Sequence, residues 1–132
     1  MLEKIDHVGV AVRDLEQAVQ VFNDKLGIEL GGIEEVAEQK VKVAFLPLGE
    51  SKIELLQSTD PEGAIARFIE KRGEGIQHIA FLVKNLEEIL TRLKSSGVEL
   101  IDKKPRIGAG GAKIAFLHPK STCGVLIELC ER

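Results

Sequence analysis

The amino-acid sequence predicts an α+β fold in which two tandem βαβββ units form one curved, mixed β-sheet. Three observations support this prediction: a segment that occurs twice, apolar residues that alternate between strand-like and helix-like spacing, and the same order of elements in both halves. With 132 residues, 44% hydrophobic and 30% charged, the chain has the length and composition of one compact, folded domain.

The repeated segment is visible by direct comparison. IDHVGVAVRDLE, which begins at Ile5, aligns with IQHIAFLVKNLE, which begins at Ile76, at an offset of 71 positions (76 − 5). The triplet Ala-Phe-Leu recurs at the same offset, from Ala44 and from Ala115 (115 − 44). Self-similarity at a fixed offset is typical of a fold built from repeated units. We therefore predict a single domain with the following parts: repeats at about 1–57 and 76–132, and a helical linker over 58–75.

Each copy begins with a strand. In the first copy Val8, Val10 and Val12 alternate with other residues, which is the period-two pattern of a half-buried strand. His7 lies out of phase with these valines. We therefore expect its side chain to point away from the valine face.

A helix follows the strand in each copy. Asp14 is the expected N-cap of the first helix, Gln17 its capping-box partner, and Gly27 the terminator. The expected apolar face of this helix comprises Leu15, Ala18, Val19, Phe22 and Leu26. The second copy repeats the pattern, with Asn85 as N-cap, Glu88 as its partner and Gly97 as terminator.

Three strand-like segments follow each helix. They lie at 28–35, 41–48 and 52–57 in the first copy and at 98–102, 112–118 and 124–130 in the second. In the linker, Asp60-Pro61 ahead of Ile65, Phe68 and Ile69 predicts a short helix with proline at its first position.

Two histidines and two glutamates occupy equivalent positions of the repeat. His7 and His78 lie on the first strand of each copy, and Glu54 and Glu128 lie on the last, 74 positions apart (128 − 54). Extra turn residues around 121–123 account for the larger offset. If the copies pack with approximate two-fold symmetry, these side chains converge and form one site for a divalent ion such as Zn, Co, Ni, Mn or Fe.

The alternative for each of these residues is structural. A lone histidine in a strand is more often a core or edge residue than a ligand, and Glu54, beside Lys52, also fits a solvated edge charge. Glu128 stands in an apolar strand, where a carboxylate is costly to bury unless it is paired or coordinated. His118 has no counterpart in the first copy, so we leave it out of the metal site.

Other functions find little support in the sequence. The net charge is −3 with the signs interspersed, which argues against nucleic acid or an anionic membrane as a partner. The apolar stretches have the length of strands, and the N-terminus lacks a signal-peptide core, so we expect a cytoplasmic protein. Cys123 and Cys130 form no metal-binding motif and are expected to be free thiols. Gly108–Gly111 suits either close approach of a ligand to the backbone or a plain connection.

The sequence resembles the vicinal oxygen chelate superfamily, which includes glyoxalase I and extradiol dioxygenases. Within it, the resemblance is strongest to the methylmalonyl-CoA epimerase family. It covers nearly the whole chain and is most specific in the segments PEGAIARFIEKRGEGIQHIAFLV and GAGGAKIAFLHPKSTCGVLIEL.

The resemblance implies an enzyme that interconverts (2R)- and (2S)-methylmalonyl-CoA by moving the proton at C2. His7, His78 and Glu128 match the metal ligands of the family, and Glu54 stands where relatives have a fourth ligand. One divalent ion per chain is implied, Co2+ first and Mn2+, Zn2+ or Ni2+ next, together with an acyl-CoA thioester substrate and a homodimer. Glu128 and Glu54 are the implied proton-transfer groups. Val43 stands where some members have a glutamate proposed as a base, so the second base stays open.

Two other kinds of function remain as alternatives. One is a different enzyme of the superfamily, either a glyoxalase I-like lyase or an Fe(II) dioxygenase. The dioxygenase is disfavoured because the sequence has no tyrosine and no third histidine placed by the repeat. The other is a binding module that sequesters a small molecule without chemistry.

Overall fold

The structure, a computed structural model, describes all 132 residues, which fall into two compact units. The first unit is His7–Gln77, and the second unit combines Met1–Asp6 with His78–Arg132. The second unit thus includes six residues that the repeat assigns to the first copy. The predicted α+β class is confirmed, since each unit combines helices with a mixed sheet.

The first unit contains one repeat and the linker. Its strands are β1 (Leu2–Ala11, from His7 onwards), β2 (Gly32–Val36), β3 (Val41–Leu48) and β4 (Ser51–Ser58), and its α-helices are α1 (Leu15–Val19) and α2 (Ala64–Arg72). The strand order is β2-β3-β4-β1, with β1 parallel to β4 and the other pairs antiparallel. Its core comprises Val12, Leu15, Ala44, Leu46 and Leu55.

The second unit repeats this arrangement. Its elements are β5 (Gly75–Val83, from His78 onwards), α3 (Leu86–Ser95), β6 (Arg106–Ile107), β7 (Lys113–Leu117) and β8 (Ile127–Glu131). The strand order is β5-β8-β7-β6, with β5 parallel to β8 and the other pairs antiparallel. Its main core comprises Val83, Leu86, Ile89, Leu90, Ala115, Leu117 and Leu129.

The first helix begins as predicted but does not stay α-helical. The Asp14 side chain accepts a hydrogen bond from the Gln17 amide at 3.1 Å, and Gly27 ends the segment with φ +78°. Residues Gln20–Lys25 form a π-helix, in which the Leu26 amide donates to the Val21 carbonyl five residues back. The wider turn rotates later residues away from the core. Leu26 is therefore 62% exposed, not on the apolar face.

The second helix is capped differently from the prediction. Asn85 occupies the N-cap position with φ +55° and makes no side-chain cap hydrogen bond, so its predicted capping box is wrong. Instead, the Leu86 amide donates to Glu131 Oε1 at 2.8 Å. The carboxylate of a distant strand satisfies the amide that a local cap would serve.

The predicted strand at 98–102 is also wrong. Only an isolated bridge joins Leu100 to Leu117, and the edge strand is β6, further along the chain. The Phe116 amide donates to Asp102 Oδ2 at 2.8 Å, so a side chain takes the donor that a continuous ladder would use.

The remaining boundaries shift by a few residues. The linking helix begins at Ala64 with Gly63 as its N-cap, because Pro61 lies in the preceding turn, where Asp60 accepts from the Glu62 amide at 2.8 Å. The first segment after α1 is a strand only from Gly32. The three extra residues of the second copy do lie between β7 and β8, in a 3₁₀ turn at Pro119–Ser121 and the residues after it. None of the helices has the length and apolar character of a membrane span.

Candidate metal and proton-transfer site

The first unit brings His7 and Glu54 together. Gly9 on β1 is in register with Glu54 on β4, and the His7 Nδ1 and Glu54 Oε2 atoms are 3.3 Å apart. Both residues are 3% exposed. Lys52 Nζ lies 3.7 Å from the same carboxylate oxygen. Glu54 is therefore a buried group with two polar neighbours, and the alternative of a solvated edge charge is wrong.

The second unit brings His78 and Glu128 together in the same way. Ala80 on β5 is in register with Glu128 on β8, and His78 Nε2 lies 3.3 Å from Glu128 Oε1. Each residue is 5% exposed. The two pairs therefore have the same strand placement and separation, but the imidazoles use different nitrogens.

A phenylalanine stands beside each glutamate. Phe45 is in register with Glu54, and Phe116 is in register with Glu128. The Phe116 ring meets the His78 ring edge-on, with centroids 5.5 Å apart. Each site glutamate thus has a phenylalanine as a cross-strand neighbour.

The donor atoms of each pair suit a shared divalent ion. Charge-assisted N–H···O hydrogen bonds are typically 2.7–2.9 Å long, shorter than the 3.3 Å found in both pairs. Two atoms bound tetrahedrally to one ion at about 2.0–2.1 Å lie roughly 3.3 Å apart. The chain thus contains candidate metal-binding residues, among them His7, His78 and Glu128, and their side chains are buried.

Two polar residues near the ends of the last strands were not predicted from the sequence. Gln57 Oε1 accepts from the Leu15 amide at 2.6 Å, as Glu131 accepts from the Leu86 amide at 2.8 Å. Gln57 and Glu131 are 74 positions apart (131 − 57), the same offset as Glu54 and Glu128. This shared offset is the sequence feature that could have identified both residues. Each bond ties the strand that carries a site glutamate to the helix of the same unit.

Asp6 is the other missed residue. It is 6% exposed, and Arg132 binds both of its carboxylate oxygens, Nη2 to Oδ2 at 2.7 Å and Nε to Oδ1 at 3.1 Å. Cys130 lies beside it, and burial first, with the Asp6 charge second, raises the pKa of this thiol to about 12. Because Asp6 precedes His7 in the chain, this bidentate pair fixes the backbone next to a predicted ligand.

His118 belongs to a different group of residues. Its Nδ1 accepts from the Lys120 amide at 3.1 Å, and its Nε2 lies 3.8 Å from Glu99. A hydrogen bond from Lys120 lowers the pKa of the Glu99 carboxyl. His118 is half-exposed and holds the turn before β8.

The glycine-rich segment is an ordered turn. Ala109–Gly111 forms a 3₁₀ turn, and a Cβ at Gly108 would lie 2.7 Å from Ile114 Cδ1. Any larger residue at position 108 would therefore require the Ile114 side chain to shift. Both cysteines are free, Cys123 exposed and Cys130 buried.

One family model and several known proteins are similar to this chain. The family model described as Glyoxalase/Bleomycin resistance protein/Dioxygenase superfamily matches residues 6–116. The chain is 38% identical to the ethylmalonyl-CoA/methylmalonyl-CoA epimerase of Cereibacter sphaeroides over 98% of this chain and 98% of that protein.

Solved structures are similar over the same extent. The methylmalonyl-CoA epimerase of Mycobacterium tuberculosis is 39% identical, with a TM-score of 0.94 over 98% of this chain and 88% of that one. A methylmalonyl-CoA epimerase in complex with methylmalonyl-CoA and NH4+ is 35% identical, with a TM-score of 0.96 over 99% and 95% of the two chains.

Proposed function

The chain belongs to the methylmalonyl-CoA epimerase family of the Glyoxalase/Bleomycin resistance protein/Dioxygenase superfamily, and we propose that it interconverts (2R)- and (2S)-methylmalonyl-CoA. One observation carries this proposal: the similarity to an epimerase spans 98% of this chain and 98% of that protein. The substrate class follows from a relative solved with methylmalonyl-CoA bound.

The two His–Glu pairs are proposed to hold one divalent ion per chain. His7 and Glu54 supply one nitrogen and one oxygen ligand, and His78 and Glu128 supply the others. In support, all four side chains are buried, and the N···O separation in each pair matches that of two ligands on one ion. When bound, the ion would act as a Lewis acid towards the negative charge that develops on the thioester oxygen.

Glu128 is proposed to move the proton at C2. Glu128 is 5% exposed, Phe116 and Ala80 are its cross-strand neighbours, and His78 Nε2 lies 3.3 Å from its Oε1 atom. A carboxylate in such surroundings can take a proton from carbon when it lies within hydrogen-bond reach. Glu54 is the sequence-based candidate for the second proton-transfer group.

The identity of the ion, the oligomeric state and the cellular location are inferred from family resemblance. We infer Co2+ as the first choice of ion, with Mn2+, Zn2+ or Ni2+ as substitutes, since two imidazoles and two carboxylates suit all of them. We also infer a homodimer in the cytoplasm.

A coupled assay tests the proposed function directly. Purified protein is stripped of metal with a chelator, restored with one ion at a time, and given racemic methylmalonyl-CoA together with a mutase that consumes only the (2R) epimer. We expect consumption of more than half of the substrate, and only in the metal-restored samples. Consumption that stops at half with every ion would refute the epimerase. Elemental analysis should find one equivalent of metal, and two equivalents would refute a shared site.

A further inference from the structure

Lys52 lies on the same face of the first unit's sheet as His7 and Glu54. It is paired directly with His7 on β1 and with Pro47 on β3. Glu54 follows two residues later on β4. Paired residues point to the same side of a sheet, and so do residues two apart on one strand. The face that carries the first His–Glu pair therefore also carries a lysine.

Two groups of the first unit contact the Lys52 ammonium. Its Nζ atom lies 3.7 Å from Glu54 Oε2 and 5.5 Å from the centre of the Phe45 ring. The lysine side chain is 21% exposed, so most of it is shielded from water. Lysines are rarely buried to this extent unless their charge has a partner. The carboxylate and the aromatic ring together keep a positive charge beside the site glutamate.

The same ammonium has hydrogen-bond donors that the protein does not use. An ammonium carries three N–H donors. A charge-assisted N–H···O hydrogen bond is about 2.7–2.9 Å long, so the 3.7 Å separation from Glu54 is an ion pair without a direct hydrogen bond. Lys52 Nζ makes no hydrogen bond elsewhere in the chain. Its donors are therefore available to an anionic oxygen of a ligand.

The repeat does not require a lysine at this position. The offset of 74 that relates Glu54 to Glu128 relates Lys52 to Leu126 (126 − 52). The second unit thus holds a glutamate that is 5% exposed with an apolar residue two positions before it on the chain. The charge of Lys52 is therefore not needed for the strand pairing that both units share. This difference between the units favours a role for Lys52 in ligand binding.

The proposed substrate carries an anion beside the reacting carbon. In methylmalonyl-CoA, C2 bears both the thioester carbonyl and a carboxylate. We propose that Lys52 binds this carboxylate and makes the site specific for acyl thioesters that carry a carboxylate on C2. The assignment rests on the proposed epimerase function. In either role proposed for Glu54, ion ligand or proton-transfer group, the C2 end of the substrate lies beside Glu54 and so beside Lys52.

Electrostatics and length both favour the C2 carboxylate over the phosphates of CoA. A second negative charge beside Glu54 is unfavourable without a cation, because like charges repel strongly where water is excluded. Lys52 Nζ is near enough to Glu54 to offset this repulsion. The carboxylate is bonded directly to C2, whereas the phosphates lie at the far end of the pantetheine arm.

Lys52→Met tests the proposal, because methionine keeps an unbranched side chain and removes the charge. Lys42→Met is the matched control, since Lys42 is exposed on β3 and lies out of phase with Phe45, so its side chain points to the other face. Each metal-loaded protein is titrated calorimetrically with methylmalonyl-CoA and with propionyl-CoA, the same thioester without the carboxylate. Metal content and a thermal melt accompany each variant. Lys52→Arg, which keeps the charge, is measured in parallel.

We expect Lys52→Met to bind methylmalonyl-CoA about 10–100-fold more weakly than the wild type, as when a hydrogen bond to a charged group is lost. Its affinity for propionyl-CoA should stay within about two-fold of the wild type, because that ligand has no carboxylate to lose. Lys52→Arg should recover most of the affinity for methylmalonyl-CoA. Lys42→Met should bind both thioesters as the wild type does.

Four outcomes would overturn the assignment. They are equal weakening of both thioesters in Lys52→Met, unchanged binding of methylmalonyl-CoA in that variant, an equal loss in Lys42→Met, and a loss that disappears when the proteins are compared at equal metal content. A wild-type protein that binds both thioesters equally and inverts neither epimer would instead refute the epimerase function, on which the role of Lys52 rests.

Discussion

The two units share a backbone plan but differ in the charges they place on it. One set of residues paired across the four strands shows this in each unit. In the first unit the set is Ala11, Leu56, Val43 and Glu34, and in the second it is Leu82, Cys130, Ile114 and Arg106. The residue on the outermost strand is thus an acid, Glu34, in the first unit and a base, Arg106, in the second. The strand pairing is the same in both units because it depends on the alternation of apolar residues. Polar residues on the outermost strands do not determine the pairing, so they can differ in charge and in role.

The cations over the two phenylalanines show the same divergence. Lys52 of β4 lies 5.5 Å from the centre of the Phe45 ring and also contacts Glu54. Arg106 of β6 lies 5.6 Å from the centre of the Phe116 ring and pairs with Asp102 at 3.1 Å. Both rings attract a cation, but only in the first unit does that cation also contact the site glutamate. We infer that Glu54 and Glu128 have different tasks despite their equivalent positions.

The largest expected effect tests the equivalence of the two histidines. His7→Ala and His78→Ala should each lose bound metal and more than about 100-fold in activity, because each removes a nitrogen ligand. His118→Ala is the control, since this half-exposed residue has its own partner in Glu99. Elemental analysis and the coupled assay provide the measurement. Severe metal loss in His118→Ala would mean that the ligands are wrongly assigned.

The next effect tests the difference between the glutamates. Glu128→Gln should fold and lose about 10²–10⁴-fold in turnover, because the amide keeps an oxygen donor but cannot accept the proton. Glu131→Gln, three residues later on β8, should keep near-normal turnover. Wild-type product formed in deuterated water should carry deuterium at C2. A near-normal rate and metal content in Glu128→Gln would leave Glu128 with a structural role only.

A smaller effect compares the two long-range helix caps. Gln57→Ala and Glu131→Ala should each lower the free energy of unfolding by about 1 kcal/mol, the usual cost of removing a cap. Glu131→Ala should cost more, because a carboxylate also interacts with the positive end of the helix dipole. Urea denaturation of both variants gives the comparison. Equal losses, unaffected by salt, would show that the charge of Glu131 adds nothing.

The smallest effect concerns Cys130, whose counterpart in the first unit is Leu56. Its pKa of about 12 lies above the ordinary value of 9.0, so folding favours the protonated thiol. The contribution of this thiol to stability is therefore complete below pH 9 and is lost as the pH rises towards 12. Thiol titration of native protein at pH 8 should modify Cys123 alone, and both cysteines should react in urea. Rapid modification of Cys130 in the native state would contradict its burial.

The sequence alone was sufficient for the fold class, because its signals are local. Alternation around Val8, Val10 and Val12, helical spacing after Asp14, and glycines at helix ends each depend on a few neighbouring residues. The repeat then identified His7, His78, Glu54 and Glu128 as equivalent positions, and the strand register agrees, with Glu54 level with Gly9 and Glu128 level with Ala80.

Only the tertiary structure decided which side chains meet. The Leu86 cap by Glu131, the bond from Phe116 to Asp102, and the Asp6–Arg132 pair join residues 45, 14 and 126 positions apart. Such bonds depend on strand register, which no local pattern in the sequence specifies. The same holds for Glu34: its alternation with Glu35 was visible, but its place opposite Val43 follows from the pairing of β2 with β3. A one-residue shift of that pairing would have turned Glu35, not Glu34, towards the face of the sheet that carries Glu54.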